Sequence, residues 1–213
     1  MTKIVIVGAG PCGLLAAHHL IRNPNNRVEI YEKRSKNDFS PGERSFPIAL
    51  QSRGLEAIRE IPGLESALAD NSNSTFHGIW TVGLSLHGNK SERKISRPPT
   101  LSVERHHIVI AFLKELEKAA SAENSSASVH FNAAVSDVAI DDKKLLVKKS
   151  GSEEHSISYD ILLICDGARS KLRHVLADKG MIEFNQATTK DEYKSFYISR
   201  TSADGTVKLD GDS

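Results

Sequence analysis

Apolar positions come first in a short unbroken block. Lys3-Ile4-Val5-Ile6-Val7 is β-branched and continuous, which predicts a strand buried on both faces, as in a parallel sheet. Gly8-Ala9-Gly10-Pro11-Cys12-Gly13 follows. Residues 14–21 predict a helix, with Leu14, Leu15, Ala17, Leu20 and Ile21 apolar and Asn23-Pro24-Asn25-Asn26 as its stop. Arg27-Val28-Glu29-Ile30-Tyr31 predicts a second strand. The chain therefore opens as strand, glycine turn, helix, strand: one complete βαβ unit.

Beyond it the pattern alternates between β and α. Residues 33–46 are polar and turn-rich and read as a loop, and residues 49–61 predict a helix closed by Pro62-Gly63. Residues 76–86 partly alternate and predict a strand, while the charged stretch 87–100, ending in Pro98-Pro99, reads as a hairpin or loop. Residues 103–120 predict an amphipathic helix with Ile108, Ala111, Phe112 and Leu116 on one face. After a polar linker at 121–128, strands are predicted at 129–131, 135–140 and 145–147, with a turn at 151–154. Residues 159–165 read as another buried strand, and a short helix follows to Leu176. The tail from Lys179 is weakly patterned, with one possible strand at 196–198.

The glycine spacing sits where phosphate chemistry needs it. Gly8 permits a tight turn out of the strand, Gly10 lets a pyrophosphate approach the backbone, and Gly13 lets the helix pack closely on the sheet. The helix N-terminus then offers N–H groups and a favourable dipole to the phosphates. Glu32 ends the second strand, where a carboxylate accepts hydrogen bonds from ribose hydroxyls. It would repel a 2′-phosphate, which disfavours NADP in this slot. Arg34 is close enough to contact the adenosine. These residues alone leave FAD and NAD both open.

Composition narrows the classes. The 213 residues carry a net charge of +1, so nothing in the charge favours nucleic acid or an anionic membrane as partner. No stretch is apolar enough for a membrane span. Cys12 and Cys165, far apart in sequence, suggest no disulfide framework and no metal spacing, and a cytoplasmic location is expected. Both read as small packing residues. His18-His19 and His106-His107 are adjacent pairs whose side chains diverge by about 100° on a helix, so no metal site is expected.

A resemblance separates FAD from NAD. Ile4 to Arg34, ending Tyr31-Glu32-Lys33-Arg34, resembles the first unit of the FAD-dependent aromatic-ring monooxygenases of the para-hydroxybenzoate hydroxylase type. Arg44-Ser45-Phe46-Pro47-Ile48-Ala49-Leu50-Gln51-Ser52-Arg53-Gly54 looks most like the kynurenine monooxygenase version of the next segment. Asp166-Gly167-Ala168-Arg169-Ser170, after a buried strand, is similar to the family's DG motif, and Ser102-Val103-Glu104-Arg105 matches the place of a cofactor-contacting arginine. The resemblance implies FAD contacts at Gly8, Gly10, Pro11, Cys12, Gly13, Glu32, Lys33, Arg34, Arg44, Arg105, Asp166 and Gly167. It implies NADPH as transient electron donor, O2 as oxidant and a small aromatic substrate, with the flavin carrying the hard chemical step. On residues alone, Asp166 could also cap the helix that follows it.

The implied fold is α/β: a Rossmann-like FAD-binding domain with a parallel sheet, plus β-rich insertions forming part of a substrate domain. The expected division is 1–75 for the βαβ unit and following helix, 76–100 for substrate-domain strands, 101–178 for the rest of the FAD domain, and 179–213 for the start of a substrate domain. The family's later Gly-Asp-Ala motif has no match, so the chain reads as an N-terminal portion. The kynurenine branch places an arginine and a tyrosine before the long helix. Here the arginine position falls near Thr81, and no tyrosine lies between Tyr31 and Tyr159, so kynurenine itself is not the expected substrate. A non-catalytic remnant that keeps the ADP site, or another FAD or NAD oxidoreductase, remains the alternative.

Overall fold

A computed structural model describes residues 1–39, 47–70, 75–86, 89–121 and 126–188. The chain divides into two units, Met1–Glu183 and Phe184–Ser213. In the second, the described residues 184–188 adopt no regular structure.

The first unit is built on a four-stranded parallel sheet. Strand β1 (Thr2–Val7) lies between β2 (Asn26–Tyr31) and β10 (Ile161–Ile164), and β6 (Ala127–His130) pairs with the outer side of β2. The apolar run of β1 is explained by what it touches. Ile4 and Ile6 join one core cluster, whereas Val5 and Val7 join another. Successive side chains point to opposite faces of a strand, and both faces of this one are covered. Full burial of each such side chain is worth about 1.5–3 kcal/mol.

Helices cover one face. Helix α1 (Pro11–Leu20) buries Leu14 and Ala17 there, and α4 (Arg105–Ala120) contributes Ile108, Ala111, Phe112 and Leu116, the face expected from its stripe. Helices α2 (Ser52–Arg59) and α3 (Leu64–Asp70) complete the layer through Leu55, Ile58, Leu64 and Leu68. The other face carries a three-stranded antiparallel sheet of β7 (Ala133–Ala139), β8 (Lys144–Lys149) and β9 (Glu154–Ser158), with α5 (Lys171–Asp178) beside it. A third sheet pairs β5 (Asn89–Glu104) with both β3 (Pro47–Leu50) and β4 (Thr75–Leu86), all antiparallel. The parallel sheet and the β-rich additions agree with the expected architecture.

Several boundaries differ from expectation. Residues 49–50, expected to open a helix, instead end a strand over residues 47–50 that pairs with Leu101–Glu104, and α2 begins only after Gln51. Residues 89–104 form one long strand through Pro98-Pro99, so α4 starts at Arg105 rather than Val103. Strand β9 was not predicted: its Glu-His-Ser-Ile-Ser sequence is polar and mostly exposed, and its pairing with β8 alone defines it. Helix α5 is capped by Ser170, whose hydroxyl accepts from the Arg173 N–H at 3.0 Å. Asp166 therefore does not cap it. The possible strand at 196–198 lies outside the described residues. Among the described residues, no helix is long and apolar enough to cross a membrane.

Candidate functional site

Three loops leave the parallel sheet at one edge. The register aligns Val7 with Tyr31 on one side and with Ile164 on the other. All three strands run the same way, so their carboxyl ends coincide. Gly8–Gly13, Glu32–Arg34 and Cys165–Gly167 are thereby brought together, at the edge where open α/β sheets bind ligands.

The glycine turn fits through absent side chains. Gly8 has φ +102°, and a Cβ there would lie 2.5 Å from the Cys165 carbonyl oxygen. A Cβ at Gly13 would lie 2.1 Å from the Gly8 carbonyl oxygen. Gly10 differs from both. It precedes α1 with φ −78° and ψ 177°, offers no side-chain cap, and has nothing within 4 Å of the place a Cβ would occupy. The first-turn N–H groups of a helix have no intrahelical partner, and here they open onto clear space at Gly10. Pro11 takes the first helical position, where its missing N–H costs nothing. Cys12 follows, exposed.

Glu32 is only 4 % exposed and already engaged. One carboxylate oxygen accepts from the Ala9 N–H at 2.8 Å, and the other accepts from the Arg34 N–H and Nε–H, both at 2.9 Å. Arg34 Nη2 lies 3.4 Å from the first oxygen. Burial alone pushes the carboxyl up, but the Arg34 guanidinium and the backbone donors outweigh it, and Glu32 sits below the usual carboxylate range. A carboxylate has about four lone-pair sites, so a ribose hydroxyl has to share Glu32 with Arg34. The sequence did not reveal this competition. The Arg34 guanidinium also lies 4.2 Å over the Phe39 ring, and Lys33 is exposed.

Asp166 sits against the glycine turn, its Cα 3.0 Å from the place a Cβ would occupy at Gly8. Asp166 is half-buried, and Gly167 is exposed with φ +87°. Arg105 is the exposed first residue of α4. Arg44 lies outside the described residues.

The cysteines depart from their reading as separate packing residues: their Sγ atoms are 3.9 Å apart, with Cys12 exposed and Cys165 half-buried. Parallel pairing of β1 with β10 closes the distance that sequence separation suggested. The histidine pairs also split. His18 and His19 diverge as expected, to the carbonyls of Phe112 and Ala57. His106 and His107 do not: their ring centroids are 4.0 Å apart, and His106 Nδ1 is 3.0 Å from the Glu104 carboxylate. Ligand atoms of Glu104, His106 and His107 all lie within 4.8 Å of one another. Glu104 belongs to the strand before the helix, and a helical wheel cannot place it.

Comparison with known proteins agrees with this geometry. A family model for pyridine nucleotide-disulphide oxidoreductases matches residues 2–197. The kynurenine 3-monooxygenase of Anopheles gambiae is 30% identical over 209 residues, covering 93% of this chain and 40% of that protein. The kynurenine 3-monooxygenase of Flavobacterium johnsoniae is 28% identical over 221 residues, covering 99% of this chain and 45% of that protein. The chain thus spans less than half the length of these curated relatives. The tetrameric form of 2-methyl-3-hydroxypyridine-5-carboxylic acid oxygenase superposes with a TM-score of 0.62 at 20% identity, over 83% of this chain and 42% of that one. The protein CtdE in complex with FAD gives 0.56 at 17% identity, over 80% and 39%. These two likenesses establish the fold. The sequence relatives agree with the resemblance to kynurenine monooxygenases.

Proposed function

The chain belongs to the pyridine nucleotide-disulphide oxidoreductase family, and from that membership we propose that it holds the ADP half of FAD as part of a flavin-dependent monooxygenase. The single observation that carries the reading is the open, uncapped helix start at Gly10, flanked by Glu32 at the end of β2.

The residues fit an ADP group. Gly8 and Gly13 bring strand, turn and helix close, and the space over Gly10 admits a diphosphate to the first-turn N–H groups of α1. Glu32 accepts the ribose hydroxyls once Arg34, 40% exposed at its side chain, gives up part of its hold. Pro11 and Cys12 line the turn, and Lys33 and Arg34 supply positive charge beside the adenosine. Asp166 and Gly167 face the same sheet edge. Arg105 and Arg44 are assigned to the flavin side on family resemblance. When bound, FAD supplies the redox chemistry; the protein binds, orients and shields it.

In the same reading, O2 is the oxidant and a small aromatic compound the substrate, in keeping with the oxygenase names of the relatives, and NAD(P)H is the electron donor on family resemblance. The domain division at 75, 100 and 178 belongs to this proposal.

The test is the flavin content of the purified chain. A yellow protein, or a colourless one that takes up added FAD, is expected. A folded chain that binds neither FAD nor ADP overturns the proposal. NAD(P)H oxidation under air with added aromatic acids then distinguishes a working monooxygenase from a chain that only binds the nucleotide.

A further inference from the structure

The chain has two cysteines, and the fold sets them face to face across the glycine turn. Cys12 is the second residue of α1, and Cys165 directly follows β10. Their Sγ atoms are 3.9 Å apart although 153 residues separate them in sequence. The framework beneath them is tight. The Cys165 N–H donates to the Val7 carbonyl at 2.8 Å, and the Cys165 carbonyl leaves no room for a Cβ at Gly8. The two backbones are thus held close, and the exposed Cys12 side chain is the part free to turn.

We propose that Cys12 and Cys165 are a disulfide-forming pair, closed by a peroxide that arrives from solvent at Cys12 and reopened by thiol reductants.

Exposure sets the order of events. Burial and the neighbouring Cys12 push the Cys165 thiol up to about 12, so Cys165 stays protonated at neutral pH while the solvent-facing Cys12 meets the oxidant first. The Cys12 sulfur attacks one peroxide oxygen and the O–O bond breaks, leaving a sulfenic acid on Cys12 and one water. The Cys165 sulfur then attacks the Cys12 sulfur. The S–O bond breaks, and the departing hydroxide takes the Cys165 proton as a second water. Two thiols lose two electrons and two protons in all, and the peroxide becomes two waters.

The new bond straps the start of α1 to the end of β10. It forms from the protein's own atoms, so it needs no ligand in the glycine turn. A nucleotide in the turn would cover Cys12 and slow its oxidation.

The test is oxidation of the folded, ligand-free chain with hydrogen peroxide. Thiols are counted after denaturation, and a non-reducing peptide map follows. Both thiols should disappear together, a peptide joining Cys12 to Cys165 should appear, and dithiothreitol should restore both thiols. In Cys12→Ser, Cys165 should remain reduced under the same treatment. Two thiols surviving in the parent chain, or Cys12 oxidised or linked between chains while Cys165 stays free, would overturn the proposal. Rapid oxidation of Cys165 in Cys12→Ser would overturn the assigned order. Each readout is a thiol or a peptide, so failure here is distinct from failure to bind FAD.

Discussion

The carboxylate of Glu32 accepts a hydrogen bond from the Ala9 N–H at 2.8 Å, joining the end of β2 to the glycine turn that follows β1. The bond is buried. The residue expected to contact a ribose is therefore also a strut of the turn that receives the phosphates. Binding and local stability share one side chain.

Glu32→Ala leaves the Ala9 N–H without its partner in a buried place, which costs about 1–3 kcal/mol. Chemical denaturation of the variant should show that loss, and FAD affinity should fall at least tenfold, on the order of 1.4 kcal/mol. The pH dependence has a definite sign. The folded Glu32 carboxyl lies below its usual value, so its contribution is present above the unfolded pKa and is lost as pH falls through the folded one. Glu32→Gln should flatten the acid limb of a stability profile below about pH 4.5.

Gly8→Ala and Gly13→Ala should both destabilise the fold. Each added Cβ would meet a backbone oxygen, at 2.5 Å and 2.1 Å respectively, and Gly8 adds a φ of +102°. Forced overpacking costs about 1–3 kcal/mol, and the strained φ at Gly8 adds to it. Thermal melts of the two variants measure this directly.

His18 makes a separate prediction. Its side chain is buried, and its Nε2–H donates to the Phe112 carbonyl at 2.8 Å. Burial lowers its pKa more than the Phe112 carbonyl and Glu115 raise it. The unfolded chain then takes up a proton more readily than the folded one. The contribution of His18 is complete above about pH 6.5 and is lost as pH falls below it. Between pH 7 and pH 5.5 the melting temperature of the parent should drop further than that of His18→Gln.

Ser170→Ala removes the one side-chain cap of α5. Capping substitutions of this kind cost about 1 kcal/mol. Denaturant midpoints should shift accordingly, while FAD affinity should stay within about twofold, or 0.4 kcal/mol, because Ser170 is outside the glycine turn.

Some of this was legible in the sequence. The βαβ opening was, because β1 is buried on both faces and its run is continuous, and because Gly8 and Gly13 each meet a separate steric demand. The stripe on α4 was equally plain. Strand β3 was not, since a partner distant in sequence defines it, and β9 was not, since its polar, mostly exposed residues carry no apolar pattern and only pairing with the neighbouring β8 defines it. The meeting of Cys12 with Cys165 was hidden because it follows from the distant pairing of β1 with β10, and the hold of Arg34 on Glu32 and the contact of His106 with His107 were hidden because side-chain directions at strand and helix ends decide them. Linear spacing carries no record of either.

The most direct measurement is a titration of FAD into the parent chain and into Gly10→Val, read by flavin fluorescence. Gly10 has an ordinary φ of −78° and nothing within 4 Å of its Cβ position, so the valine should leave the fold intact while filling the space meant for the diphosphate. The account predicts one FAD per parent chain, displaced by ADP, and at least a tenfold weaker affinity, about 1.4 kcal/mol, in a Gly10→Val protein that melts like the parent. Equal FAD affinity in the two folded proteins would contradict it.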